Sequence, residues 1–152
     1  MPWRPLPTAT APRATPGMRT RLRRVIIDTN ILIRLERETR RNISGDATRF
    51  FQSLTDTRIC ITPTIAGEIA CGASRSGREK WEKFLEPFEL VPINCEVSWH
   101  YGVQYRALAT RGELIGSNDL WIAATALAHQ LPLATGNAGE FERVKGLRIT
   151  PV

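Results

Sequence analysis

Apolar residues along the chain alternate between short β-branched runs and longer stretches of helical spacing, a pattern that predicts an α/β fold. Val25-Ile26-Ile27 is a run of the kind buried in a parallel sheet; Asp28-Thr29-Asn30 breaks it as a polar turn, and residues 31–36 continue as a helix. A helix over about 47–54 leads to a second strand over 58–61, after which Thr62-Pro63-Thr64 opens a helix through residue 70. The basic, polar stretch 74–83 reads as a solvated helix or loop. Residues 88–93 suggest a third strand, with Pro92 marking its end or the sheet edge. Helices over about 96–109 and from near Ser117 follow, the second apolar all round and therefore buried on more than one face. A strand over 131–135, a short helix over 140–144 and a last strand over 147–149 complete the series.

Strands separated by helices have the crossovers that parallel pairing needs. The expected architecture is a three-layer α/β/α sandwich around a mainly parallel central sheet. Ligands in such sheets bind outside the carboxyl ends of the strands, which is where the polar exceptions fall.

At 152 residues the chain fits one domain. It divides into a basic, proline-rich arm over 1–23, expected to be disordered or docked on a partner, and a folded body over 24–152. The net charge of +6 invites a nucleic-acid reading until its position is considered. Six arginines and no acid lie within residues 1–24, which leaves fifteen basic against fifteen acidic residues and a formally neutral body. Strong sequence-blind phosphate binding by overall field is excluded; nucleic-acid contact must come from a local basic rim or the arm. Arg34, Arg37, Arg40, Arg41 and Arg111 are candidates for such a rim, though most exposed arginines are simply solvated.

No run of about 18 uncharged apolar residues exists, so no membrane span is expected. Cys60, Cys71 and Cys95 lack a CxxC spacing and are expected as buried thiols in a reducing, cytoplasmic setting. His100 and His129 match no zinc pattern.

Three acids stand beside core elements: Asp28 ends an apolar strand, Glu68 interrupts an apolar helix, and Asp119 opens the most apolar helix of the chain. Carboxylates brought together repel unless a cation neutralises them, and hard oxygen donors select Mg²⁺ or Mn²⁺. Helix capping explains Asp28 and Asp119 equally well at this level, since both lie among good N-cap residues.

The order and surroundings of these acids resemble the PIN-domain ribonucleases, and in particular the VapC-type toxins of bacterial type II toxin–antitoxin pairs, over residues 24–152. Residues 25–33 look like that family's first strand with its metal-binding aspartate at Asp28. Residues 62–69 resemble its second motif, with the glutamate at Glu68. Residues 115–124 are similar to the third, with the acid at Asp119. In the fourth, residues 133–141, Asn137 stands where many relatives have aspartate, so either Asn137 or Glu140 completes the ligand set.

The resemblance implies a Mg²⁺-dependent endoribonuclease, with Mn²⁺ able to substitute, that leaves 5′-phosphate and 3′-hydroxyl ends. Asp28, Glu68 and Asp119 would be both catalytic and metal-binding, while Thr29, Asn118 and Thr135 orient ligands and water. It further implies RNA as substrate, a cognate antitoxin protein and a homodimer. Two other classes stay open: a PIN-like RNA-binding or scaffold protein without catalysis, and a haloacid-dehalogenase-type phosphatase. The latter needs a second aspartate two residues after the first, where Asn30 stands.

Overall fold

In the computed structural model, which describes residues 22–72 and 76–152, the run of β-branched residues forms β1 (Arg23–Ile27) and Asp28 turns the chain directly into α1 (Thr29–Arg40). α2 (Asp46–Ser53) and β2 (Thr57–Ile61) follow. Thr62 then caps α3 (Pro63–Ala70), its side chain accepting from Ile65 N at 3.2 Å while Pro63 occupies the first turn, where its missing N–H costs nothing. After α4 (Arg78–Leu85) and β3 (Glu89–Leu90), Asn94 caps α5 (Cys95–Arg111), which ends on Gly112 in the left-handed conformation at φ 66°. The chain closes with α6 (Ser117–Ala128), β4 (Leu133–Thr135), α7 (Ala138–Phe141) and β5 (Ile149–Pro151).

The five strands pair in the order β3-β2-β1-β4-β5, all parallel. With this order, the right-handed rule for parallel crossovers assigns α1 to α4 to one face and α5 to α7 to the other, the sandwich expected from the sequence. β1 lies at the centre, with Ile26 in register with Cys60 on one side and Leu133 on the other. Strand order reverses between β1 and β4, so the carboxyl ends of these two strands flank a crevice that no crossover fills. Ile26, Ile27, Ile61, Ile65, Leu120, Ile122, Leu133 and Phe141 are fully buried around this centre.

Several elements differ from expectation. The strand over 88–93 shrinks to two residues: Val91 N still donates to Ile61 O at 2.8 Å, but Pro92 has no N–H to continue the ladder. α1 runs four residues further than its apolar stripe suggested, with an Arg40–Glu36 ion pair across its last turn. β1 begins at Arg23, one residue inside the predicted arm; the rest of that arm lies outside the described residues. Only Cys60 is buried. Cys71 and Cys95 are exposed because they sit at the ends of α3 and α5, where the chain faces water.

α2 lacks a side chain of its own at its N-terminus, since Gly45 is the N-cap residue. Glu38 reaches across from α1 instead: its carboxylate accepts from Thr48 Oγ1 at 2.6 Å, Thr48 N at 2.8 Å and Ala47 N at 3.3 Å. These bonds, that from the Thr48 hydroxyl foremost, hold the Glu38 carboxyl below its usual range. A Cβ on Gly45 would lie 2.2 Å from Glu38 Oε1. Gly45→Ala is therefore expected to push the carboxylate off the cap and lower the thermal midpoint by about a few degrees. A folded carboxyl of lowered pKa stabilises above the ordinary carboxylate range and loses that contribution on acidification, so the difference in melting closes at low pH.

Candidate active site

The crevice between β1 and β4 is lined by acids held in place by hydroxyl and amide groups. Asp28, 4% exposed, follows the last residue of β1. Its Oδ1 accepts from Thr29 N at 2.7 Å, and its Oδ2 from Thr135 Oγ1 at 2.7 Å and Asn30 Nδ2 at 2.9 Å. The residue thus caps α1 and faces the end of β4 at once. Burial pushes its pKa up, as does the nearby Glu68 charge, while the Thr135, Thr29 and Asn30 hydrogen bonds oppose the rise.

Glu68 projects from the middle of α3. One of its oxygens accepts from Asn118 Nδ2 at 2.9 Å and the other from the Thr29 hydroxyl, so it links α3 to the start of α6 and to α1. Asp119 lies in the first turn of α6, whose N-cap is Gly116. Capping therefore accounts for part of what Asp28 does and for nothing that Asp119 does. The Asp119 pKa is pushed up to about 7, first by burial, then by a hydrogen bond shared with Glu140 and by the charges of Asp28, Glu140 and Glu68. Two carboxyl groups in hydrogen-bond contact can hold one proton between them, which relieves the repulsion.

Asp28, Glu68, Asp119 and Glu140 are therefore one electrostatic cluster, drawn from four separate elements to the carboxyl ends of the central strands. Of the two candidates for the fourth position, Glu140 is the one in contact with Asp119; Asn137 occupies the N-cap position of α7 without a side-chain cap bond, and its backbone N–H donates to Thr135 Oγ1 at 3.0 Å. The side chains of Thr29, Asn118 and Thr135 each donate to one of the acids, and the Thr29 N–H donates to a second. Sequence reasoning overlooked Asn30, which joins Asp28 to the loop after β4 by accepting from Gly136 N at 3.1 Å. Its place in the Asp-Thr-Asn turn was the available signal.

Among the described residues, no group of three or more His, Cys, Asp or Glu side chains stands as an assembled metal cage. The donor chemistry nevertheless fits a hard divalent cation. The side chains are carboxylates flanked by hydroxyl and amide oxygens, without thiolate or imidazole, and their negative charges add to the burial that raises Asp119. A shared cation requires Asp119 to give up the proton it shares with Glu140.

Folded carboxyls of raised pKa keep protons that the unfolded chain has released. This share of the metal-free stability is present below the ordinary carboxylate range and lost as pH rises through about 7. The thermal midpoint is expected to decline from about pH 5 to about pH 8, and less steeply in Asp119→Asn; melting curves in chelator across that interval check it.

Fold and crevice together define a parallel α/β domain with an acidic cleft at its strand reversal. In sequence, residues 25–147 match the PIN domain. The chain is 32% identical over 130 residues to Ribonuclease VapC1 of Haemophilus influenzae strain R2866, covering 81% of this chain and 93% of that protein. It is 34% identical over 130 residues to Ribonuclease VapC1 of Methanocaldococcus jannaschii, covering 83% and 86%. The solved structure of VapBC-1 from nontypeable Haemophilus influenzae superposes with a TM-score of 0.68 at 28% identity, over 84% of this chain and 97% of that one. The chain belongs to the PIN-domain family, and its relatives there are VapC ribonucleases, as the motifs around Asp28, Glu68 and Asp119 led one to expect.

Proposed function

We propose that this protein is a Mg²⁺-dependent endoribonuclease, with Mn²⁺ an effective substitute, that hydrolyses RNA phosphodiesters as the toxin of a toxin–antitoxin pair in the cytoplasm. The observation that carries the reading is the cluster itself: four acids from four elements gathered at the strand reversal, with Asp119 pushed up to about 7 by burial, by its hydrogen bond with Glu140 and by the neighbouring charges. An unneutralised cluster of this kind repels a polyanion, and a bound cation or the loss of one carboxylate charge eases that repulsion. The likeness to ribonucleases over most of the chain supports RNA as the substrate class.

Asp28 and Asp119 would hold the ion, with Glu68 and Glu140 completing the oxygen set. Bound there, a divalent cation acidifies water and offsets the charge that grows on the phosphate. Asp28 is kept rigid by Thr135, Asn30 and the Thr29 N–H, and Glu68 by Asn118 and Thr29. These bonds orient Asp28 and Glu68, while Asp119 has to release the proton it shares with Glu140 before it joins them. The same carboxylates suit bidentate capture of an antitoxin arginine, which would exclude substrate. The likeness to VapBC-1 supports a protein partner, and a homodimer is the expected assembly. No helix among the described residues is long and apolar enough to cross a membrane.

The test incubates the purified chain with labelled single-stranded RNA in Mg²⁺ and in chelator, and examines the ends produced. Internal cuts bearing 5′-phosphates in Mg²⁺ and none in chelator are expected. RNA left intact, together with no heat of Mg²⁺ binding by calorimetry, would replace this reading with a non-catalytic PIN-like scaffold.

A further inference from the structure

Arg34 projects from the second turn of α1 towards the loop after β4. A Cβ added at Gly136 would lie 2.9 Å from Arg34 Nη2 and 3.4 Å from Asn30 Oδ1. The guanidinium thus occupies the volume that any larger residue at 136 would take, beside the Asn30 that hydrogen-bonds to Asp28. It is half-buried, yet it makes no hydrogen bond or ion pair with any described residue, unlike Arg24, Arg40, Arg49, Arg58, Arg78 and Arg111, which all have acidic partners. A partly desolvated guanidinium with none of its five donors committed is placed for an anion from outside.

We infer that Arg34 binds a backbone phosphate of the RNA strand flanking the bond to be cut, and that Gly136 is the residue whose lack of a side chain admits it. This rests on the ribonuclease reading. The body of the chain is formally neutral and its cleft acidic, so the strand needs a local cation at the cleft mouth to fix its path. Arg34 is a fork that can grip two phosphate oxygens, and it lies one residue's breadth from Asp28 by way of Asn30. Gly136 imposes no left-handed φ that would demand glycine for backbone reasons, which leaves the approach of Arg34 as the steric constraint on that position.

Anisotropy of a labelled single-stranded RNA oligonucleotide, titrated with the Asp28→Asn chain in Mg²⁺ so that binding is read without turnover, tests the assignment. Arg34→Ala in that background is expected to weaken binding roughly tenfold at low salt. It should also reduce the slope of log Kd against log salt by about 0.7, the contribution of one phosphate on a single strand. Arg34→Lys keeps most of the slope, and Gly136→Ala, which displaces the guanidinium, loses it as Arg34→Ala does. A guanidinium that merely offsets the carboxylates would change the melting temperature on removal and leave the slope alone. An unchanged slope in Arg34→Ala or Gly136→Ala, with both proteins folded by circular dichroism, overturns the inference. If the unsubstituted chain cuts RNA while the slopes stay equal, only the Arg34 assignment falls. If that chain neither cuts nor binds RNA, the ribonuclease reading falls first.

Discussion

Asp28→Asn is expected to lower the rate of RNA cleavage by at least about a thousandfold while leaving a folded protein. The substitution conserves shape and removes charge at the least exposed of the four clustered acids. Stabilisation of the developing phosphate charge by a held cation is worth several kcal/mol, and each ~1.4 kcal/mol is a factor of ten in rate. The fold survives because the surrounding groups can rearrange. Thr135 Oγ1 now donates to Asp28 Oδ2, and a hydroxyl can accept from an amide as readily as it donates to a carboxylate. The remaining amide oxygen can still cap α1 through the Thr29 N–H. Initial rates on a defined RNA, with melting curves as a control, decide the matter. A variant cutting within about tenfold of the unsubstituted chain would remove Asp28 from the chemistry.

Phe141→Ala is expected to cost about 3–5 kcal/mol of stability, a large share of the roughly 5–15 kcal/mol that holds a domain together. The ring is fully buried and ends α7, whose packing against β5 and the core sets the position of that short helix. A four-residue helix has little stability of its own, so its order comes from this anchor. The neighbouring Glu140 depends on the same anchor for its contact with Asp119. Denaturant unfolding should show the loss. The pH dependence of melting should flatten with it, because the Asp119 carboxyl would no longer have a fixed partner. A change below about 1 kcal/mol would mean that the region collapses around the gap.

Both substitutions fall on residues whose environment the sequence disclosed unequally. Val25-Ile26-Ile27 was legible as a buried parallel strand because nothing but burial on two faces suits such a run, and Asp28 at its end was legible for the same reason. Thr62-Pro63 announced the start of α3 by capping chemistry that is local to four residues. The choice between Asn137 and Glu140 was not local. It depends on how α7 packs beside α6, a contact between positions some twenty residues apart that leaves no periodic trace. The cysteines failed for a different reason. Thiols are buried on average, but Cys71 and Cys95 fall where helices end, and position within an element overrode residue type. The β3 strand was overextended because its apolar pattern runs past the point at which Pro92 stops hydrogen bonding.

At the opposite border of the sheet, β5 ends in Pro151, in register with Thr135. Its missing N–H blunts the outermost rung against any foreign strand seeking to extend the ladder there. Two copies of the chain are thereby discouraged from zipping their sheets together along this border.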